Sequence, residues 1–275
     1  MAGSDSGGGA GIQADLKAFA RCGVHGTSAI TAITAQNTRE VRAIHPVPPE
    51  MVLAQVRAVL ADIRVDAVKV GMLASAEIAL AVAEALDELP AGTPVVVDPV
   101  MVAESGARLL APEAQRALVE QILPRASVLT PNLPEARVLA GAPTPTADAS
   151  GAGLSAEEEE GEAQRLARAV LALGPHVVVL TGGHRLRAAD LFLDSAGDGS
   201  FVSIDGERHP DGAAHGSGCT HSSVLAAQLA LGRTPLEAAR VARTLAGEAV
   251  ARGLRDIGAG AGPVDVLDLE RMRGN

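Results

Sequence analysis

A glycine-rich turn, His215-Gly216-Ser217-Gly218-Cys219, runs directly into Thr220-His221-Ser222-Ser223-Val224-Leu225-Ala226-Ala227, a stretch suited to a helix. Backbone N–H groups at a helix start, with the positive end of the helix dipole behind them, attract phosphate without any side-chain charge. Glycines let the backbone close on such a group. Cys219 falls on the first turn, where the same dipole is expected to favour its thiolate, as a proton acceptor or a nucleophile. The competing reading of Cys219 is a buried cysteine that follows a loop.

The elements that position this turn are legible as alternating short apolar runs and longer amphipathic ones, the pattern of strand–helix–strand units and a largely parallel sheet. A second glycine run, Gly7-Gly8-Gly9-Ala10-Gly11, enters a helix expected over Ile12–Cys22, and Ser28–Thr34 reads as a strand closed by Gln36-Asn37-Thr38. Helices are expected from Pro49 to Ile63 and from Glu77 to Leu89, with a buried strand over Ala67–Val70 between them. Three further runs end in polar or glycine residues: Val95–Val97 at Asp98, Val128–Thr130 at Pro131-Asn132, and Val177–Leu180 at Thr181-Gly182-Gly183. Open α/β sheets bind ligands at such strand ends. Asp190–Asp194 and Phe201–Asp205 read as a small hairpin around Gly197–Ser200, and two long helices finish the chain.

The segment 142–161 lacks apolar periodicity and is expected to be a mobile surface loop within one domain spanning 1–275. Ser155 with Glu158 forms a capping box for a helix continuing to Leu173, which makes the four glutamates a solvated helix start rather than a metal site.

Composition narrows the function. At 275 residues, 47% hydrophobic and 20% charged, the chain has the make-up of a globular protein. A net charge of −10 with no basic stretch argues against nucleic acid as a partner, so anionic small ligands must be held locally. Cys22 and Cys219 lie far apart without metal-ligand spacing, which suits a reducing, cytoplasmic setting. No apolar run reaches the roughly 18 residues of a membrane span, and the first residues lack the pattern of an export signal. With no Trp or Tyr and only Phe19, Phe192 and Phe201, aliphatic and Met side chains must supply the flat apolar surfaces for any heteroaromatic ligand.

Six motifs in order carry a more specific signal: Ala2–Lys17 (Ala-Gly-Ser-Asp-Ser-Gly-Gly-Gly-Ala-Gly-Ile-Gln-Ala-Asp-Leu-Lys), Thr34-Ala-Gln-Asn-Thr38, Lys69-Val-Gly-Met-Leu73, Asp98-Pro-Val-Met101, Thr130-Pro-Asn-Leu-Pro-Glu135 and His215–Cys219. Over nearly the whole chain this set resembles the hydroxymethylpyrimidine/phosphomethylpyrimidine kinases of thiamine biosynthesis, which are ribokinase-like kinases. The resemblance implies a three-layer α/β/α fold with a mostly parallel central sheet and a small antiparallel hairpin, and a homodimer. It also implies ATP- and Mg²⁺-dependent phosphorylation of 4-amino-5-hydroxymethyl-2-methylpyrimidine and then of its monophosphate.

Carried over by position, the resemblance puts Gly3, Asp5, Gln36, Met72 and Val100 at the pyrimidine. An amide such as Gln36 can donate to and accept from an aminopyrimidine edge, although it could equally cap a strand end. Asp5 either contacts substrate or holds the glycine turn. Asp98 and Glu135 are implied near Mg²⁺ and the ATP phosphates, acting through water. Asn132 either caps the following helix or reaches a phosphate. Thr181 and Gly183 are implied to face the nucleotide. Gly216, Ser217 and Gly218 would give the anion hole for the moving phosphoryl group, and Cys219 the base.

Departures from the family pattern are specific. Relatives often carry Lys where this chain has Thr181, so a point charge near the ATP phosphates is missing, and Arg185 or Arg187 on the next turn is the candidate replacement. Glu104 stands where relatives are often basic. Met1 occupies the place of most of a first strand, so the sheet beside Gly3 is expected to be weakened by a truncated start. Two other functions fit the same residues: a pyridoxal kinase of vitamin B6 salvage, and a catalytically silent ligand-binding regulator.

Overall fold

In the computed structural model, residues 1–103, 105–107, 109–143, 154–210 and 212–269 are described. The core of the expected mobile loop, 144–153, and Glu104 lie outside them.

Among the described residues the central layer is assembled from nine strands. β1 (Ala2–Asp5) runs parallel to β2 (Ile30–Gln36), which turns back antiparallel into β3 (Val41–Pro46). The other six are ordered β4 (Val68–Val70), β5 (Val95–Val97), β6 (Val128–Leu129), β7 (Val177–Leu180), β8 (Ala189–Asp194) and β9 (Val202–Asp205). Pairs from β4 to β7 are parallel, and β7–β8–β9 are antiparallel. Met1 joins the two groups: its nitrogen donates to the Lys69 carbonyl at 2.8 Å and its carbonyl accepts from Gly71 N–H at 2.9 Å. The strand beside Gly3 is therefore short, yet tied on both sides.

Strand alternation builds two cores, because successive side chains point to opposite faces. Val68, Val70, Val95, Val97, Leu129, Val178 and Leu180 pack on one face against α3 (Ala76–Asp87), α4 (Pro112–Ala117), α5 (Leu133–Leu139) and α6 (Ala156–Leu171). Val96, Val128, Val177 and Val179 pack on the other against α1 (Gly11–Arg21), α7 (Ser217–Ala230) and α8 (Pro235–Ala251). The result is the three-layer α/β/α arrangement. α2 (Pro49–Leu60) packs through Val56 on Ala29 and Ala85.

Most elements follow the expected spans within two or three residues. The capping box of Ser155 and Glu158 starts α6, which ends at Leu171. Two expectations change. The hairpin partner β3, with no buried residue, was not expected from the sequence. The glutamate run is also only partly solvated: Glu159 is buried and accepts from Leu186 N–H at 2.7 Å, and Glu160 pairs with the buried Arg185.

Candidate active site

The C-terminal ends of the parallel strands open into a cleft of about 760 Å³ that touches almost every motif singled out above. Gly3, Asp5, Gln36, Met72, Val100, Asp98, Asn132, Glu135, Thr181, Gly183 and the turn from Gly216 to Cys219 all line it.

The two glycine turns meet at its floor. Gly216 caps α7 in the left-handed region (φ 86°), and a Cβ there would lie 1.8 Å from the Gly9 carbonyl oxygen. Only glycine permits both the conformation and the approach. His215 locks the contact, its Nε2 lying 3.0 Å from Asp5 Oδ2. Asp5 also accepts from the N–H groups of Gly7, Gly9 and Ala10 at 2.7–3.0 Å. Burial favours its protonation, but the His215 bond and the Ala10 and Gly7 N–H groups prevail and hold the carboxyl below its usual range. Of the two roles open to Asp5, the structure thus gives it the holding of the turn.

The anion hole is narrower than expected. Ser217 N–H is already bonded to the Ala214 carbonyl at 3.0 Å. Gly218 and Cys219, the next residues of the first turn, have no acceptor within the helix for their N–H groups.

Cys219 lies where the starts of α1 and α7 converge, with Gly11 N–H directed at its sulfur. Burial nevertheless pushes its thiol up to about 12. The Lys69 ammonium opposes this, while the charges of Asp98 and Asp15 add to it. The helix-start argument alone pointed to a ready thiolate. The local carboxylates and the loss of water reverse that outcome, and the free site holds a thiol.

Behind the cysteine is a buried ionic cluster that the sequence reading passed over. Lys69 Nζ is 2.8 Å from Asp15 Oδ1 and 3.9 Å from Asp98 Oδ2. Ser223 donates to Asp15 at 2.7 Å and Ser222 to Asp98 at 2.9 Å. A lysine inside the apolar run Val68-Lys69-Val70 was the available signal, since lysine is almost never buried unpaired. Burial raises Asp98, against the pull of Lys69 and Ser222. Burial also lifts Glu135 to about 8, and the nearby Asp98 charge adds to the shift. Two neighbouring carboxylates, Asp98 buried and Glu135 half-buried, that disfavour each other's charge suit a divalent cation held through its water shell. Among the described residues no group of three His, Cys, Asp or Glu side chains is placed to bind a metal directly.

Asn132 caps α5: its Oδ1 accepts from Glu135 N–H at 2.9 Å, while Glu135 Oε2 accepts from Asn132 N–H at 2.9 Å. Capping therefore occupies the Asn132 oxygen. Thr181 N–H bonds the Pro131 carbonyl, and the space beside Gly183 is open. Neither expected replacement cation reaches the cleft freely. Arg185 is buried against Glu160 and the Ala189 carbonyl, and Arg187 pairs with Asp205 at 2.8 Å.

At the opposite end, Met72 packs with Ala32 and Leu109, flanked by Val100, Val41 and Ile44. A Cβ on Gly3 would meet Met72 Sδ at 3.0 Å, so the glycine keeps this apolar wall flat. Gln36 Oε1 accepts from Thr34 at 3.2 Å, which orients its amide.

The phosphomethylpyrimidine kinase family model matches residues 5–265. A hydroxymethylpyrimidine/phosphomethylpyrimidine kinase of Rhizobium meliloti is 46% identical over 96% of this chain and 94% of its own length. The thiamine biosynthesis bifunctional protein ThiED of Geobacter sulfurreducens is 46% identical over 99% of this chain, which spans 53% of that protein. Among solved structures, the pyridoxal kinase of Staphylococcus aureus in complex with AMP-PCP and pyridoxal superposes with a TM-score of 0.78 at 31% identity, covering 98% of this chain and 93% of that one.

Proposed function

The chain belongs to the phosphomethylpyrimidine kinase family, and from that premise we propose how its cleft carries out two phosphoryl transfers. The enzyme uses ATP to phosphorylate 4-amino-5-hydroxymethyl-2-methylpyrimidine, and then the monophosphate, in thiamine biosynthesis. The observation that carries the site reading is the continuity of one cleft from the Met72 wall to the α7 start, which carries Cys219.

In the first transfer the substrate's hydroxyl oxygen attacks the γ-phosphorus, the bond to ADP breaks, and the hydroxyl proton passes to Cys219 Sγ. Gln36 pairs with the aminopyrimidine edge, and Met72 and Val100 cover its faces. Gly218 and Cys219 N–H groups bind the phosphoryl oxygens as charge shifts, a loose transfer in which positioning and charge stabilisation dominate. Asp98 and Glu135 would hold Mg²⁺ through water, and its charge would neutralise the nucleotide phosphates. In the second transfer a phosphate oxygen of the monophosphate attacks, already ionised because its second pKa is about 6. No base is needed there.

A thiol near 12 is ionised in only about one site in 10⁵ at neutral pH. Cys219 therefore acts through a minority thiolate, which Lys69 helps to form.

The likeness to a pyridoxal-bound kinase supports a second reading, pyridoxal as a side substrate. Steady-state turnover with MgATP and each acceptor tests both. The proposal expects kcat/KM for the hydroxymethylpyrimidine to exceed that for pyridoxal by at least tenfold, and the reverse order would make the enzyme a pyridoxal kinase. Cytoplasmic location and a homodimer complete the proposal. Among the described residues no helix is long and apolar enough to cross a membrane.

A further inference from the structure

After α8 the chain makes a loop, 254–263, whose two ends meet: Leu254 N–H donates to the Pro263 carbonyl at 2.8 Å. Closed surface loops of about 6–16 residues are held by their own packing and frequently serve function. Gly258, Gly260 and Gly262 recur here at every second position.

The neck of the loop is joined to the anion turn. His215 N–H donates to the Gly262 carbonyl at 3.3 Å, and the His215 carbonyl accepts from Val264 N–H at 3.1 Å, so that Pro263 runs beside His215 as a parallel bridge. A Cβ on Gly9 would meet Pro263 Cβ at 3.0 Å, and the neck therefore touches both glycine turns. The tip is joined to the turn that follows Gln36. Gly260 N–H donates to Thr38 Oγ1 at 3.2 Å. A Cβ on Gly260 would strike the Thr38 carbonyl oxygen, and one on Gly258, which is left-handed at φ 78°, would strike the Thr38 hydroxyl. Glycine is what lets the two backbones approach this closely. Thr38 lies two residues beyond Gln36. Ser6 grips the Gln36 backbone from the other side, donating to its carbonyl at 2.7 Å and accepting from its N–H at 2.8 Å.

One loop thus holds, at opposite ends, the turn that carries Gln36 and the turn that leads into α7. Their separation matters to an enzyme with two acceptors of different reach. Adding a phosphoryl group to the hydroxymethylpyrimidine places the attacking oxygen two bonds further from the ring. A misplacement of about 1 Å between reacting groups can cost about 10²-fold in rate.

We propose that the loop 254–263 is a spacer, with Thr38 and Gly260 as its positioning residues, that sets the distance from the bound pyrimidine to the start of α7 and with it the balance between the two transfers. The inference rests on the kinase reading above and extends it to residues outside the cleft lining. A side chain at 260 forces Thr38 away from the tip, and Gln36 moves away from the anion turn with it. The shorter acceptor, the alcohol, then loses more than the longer monophosphate.

Initial rates with MgATP and each acceptor, together with calorimetric titration of MgADP, test the spacer on the wild type and on Gly260→Ala, Thr38→Val and Thr38→Ser. In Gly260→Ala, kcat/KM for the hydroxymethylpyrimidine is expected to fall about tenfold more than that for its monophosphate, with MgADP affinity unchanged. Thr38→Val, which gives up the bond from Gly260 N–H, shifts the ratio in the same direction by less. Thr38→Ser keeps the hydroxyl and the wild-type ratio. A loop that only stabilised the fold would lower both rates together, so equal losses for the two acceptors overturn the proposal, as does an unchanged ratio or one shifted towards the alcohol. If Gly260→Ala does not fold, the ratio in Thr38→Val decides alone. A wild type that phosphorylates neither acceptor overturns the kinase reading and the spacer with it, whereas an active wild type with insensitive variants removes only the spacer.

Discussion

At Cys219 and Glu135 the same physical fact, burial beside other charges, has opposite chemical uses. In the role proposed for it the cysteine must lose a proton, and it is held near 12. The rate of the first transfer should therefore climb steadily with pH from 6 to 9, without a plateau, while transfer to the monophosphate stays flat above about pH 6, the second phosphate pKa. Cys219→Ala should slow the first transfer by about 10²-fold, flatten its pH profile and leave the second within a few-fold. Equal losses in both steps would assign the cysteine to shaping the anion hole. Glu135 makes a prediction about stability. Its carboxyl holds a proton more tightly in the folded state, at about 8, than at its ordinary 4.5. The stabilisation is complete below pH 4.5 and is lost as pH rises through 8. Metal-free protein should melt lower at pH 8.5 than at pH 5.5, and Glu135→Gln should remove much of that difference, as read by calorimetry. Residue types and motif spacing located both groups. Neither protonation state was legible, because it depends on Lys69, Asp15 and Asp98, which only the fold brings together.

The elements that matter most are two turns, and they work as a pair. Gly216 is a glycine because its Cβ would strike the Gly9 carbonyl oxygen and because its backbone is left-handed. Gly216→Ala should cost roughly 1–3 kcal/mol in backbone strain and on the order of 10²-fold or more in kcat for both transfers, since it displaces the N–H donors. Gly183→Ala, facing open space at an ordinary backbone angle, should leave the melting temperature unchanged. Equal destabilisation by the two substitutions would contradict the packing of the turns. Glycine runs and apolar strands made most elements legible in the sequence. β3 was not, because its exposed edge lacks an apolar pattern and its pairing is supplied by β2. The role of the glutamates on α6 was hidden as well, since it depends on Arg185, 25 residues away from Glu160.

Across the whole molecule, the strand ends arrange an apolar wall, an anion-binding turn and a carboxylate pair along one cleft. Alternating apolar runs were enough to infer a largely parallel sheet, and the family resemblance carried by the ordered motifs implied the three layers. The buried cluster of Asp190, His221 and Arg243 was not legible, because its members come from three separate elements. Ile33, Met51 and Leu80 are each more than half exposed, on β2, α2 and α3, and the homodimer we propose would cover apolar surface of this kind. Light scattering should accordingly give twice the 27.8 kDa chain mass, and a monomer at enzyme-assay concentrations would remove the dimer from the account. The most direct test of the central claim is mass spectrometry of products over time with MgATP and hydroxymethylpyrimidine. The account predicts the monophosphate first and the diphosphate after it, from the same cleft. A folded protein that forms neither, or that phosphorylates only pyridoxal, would contradict it.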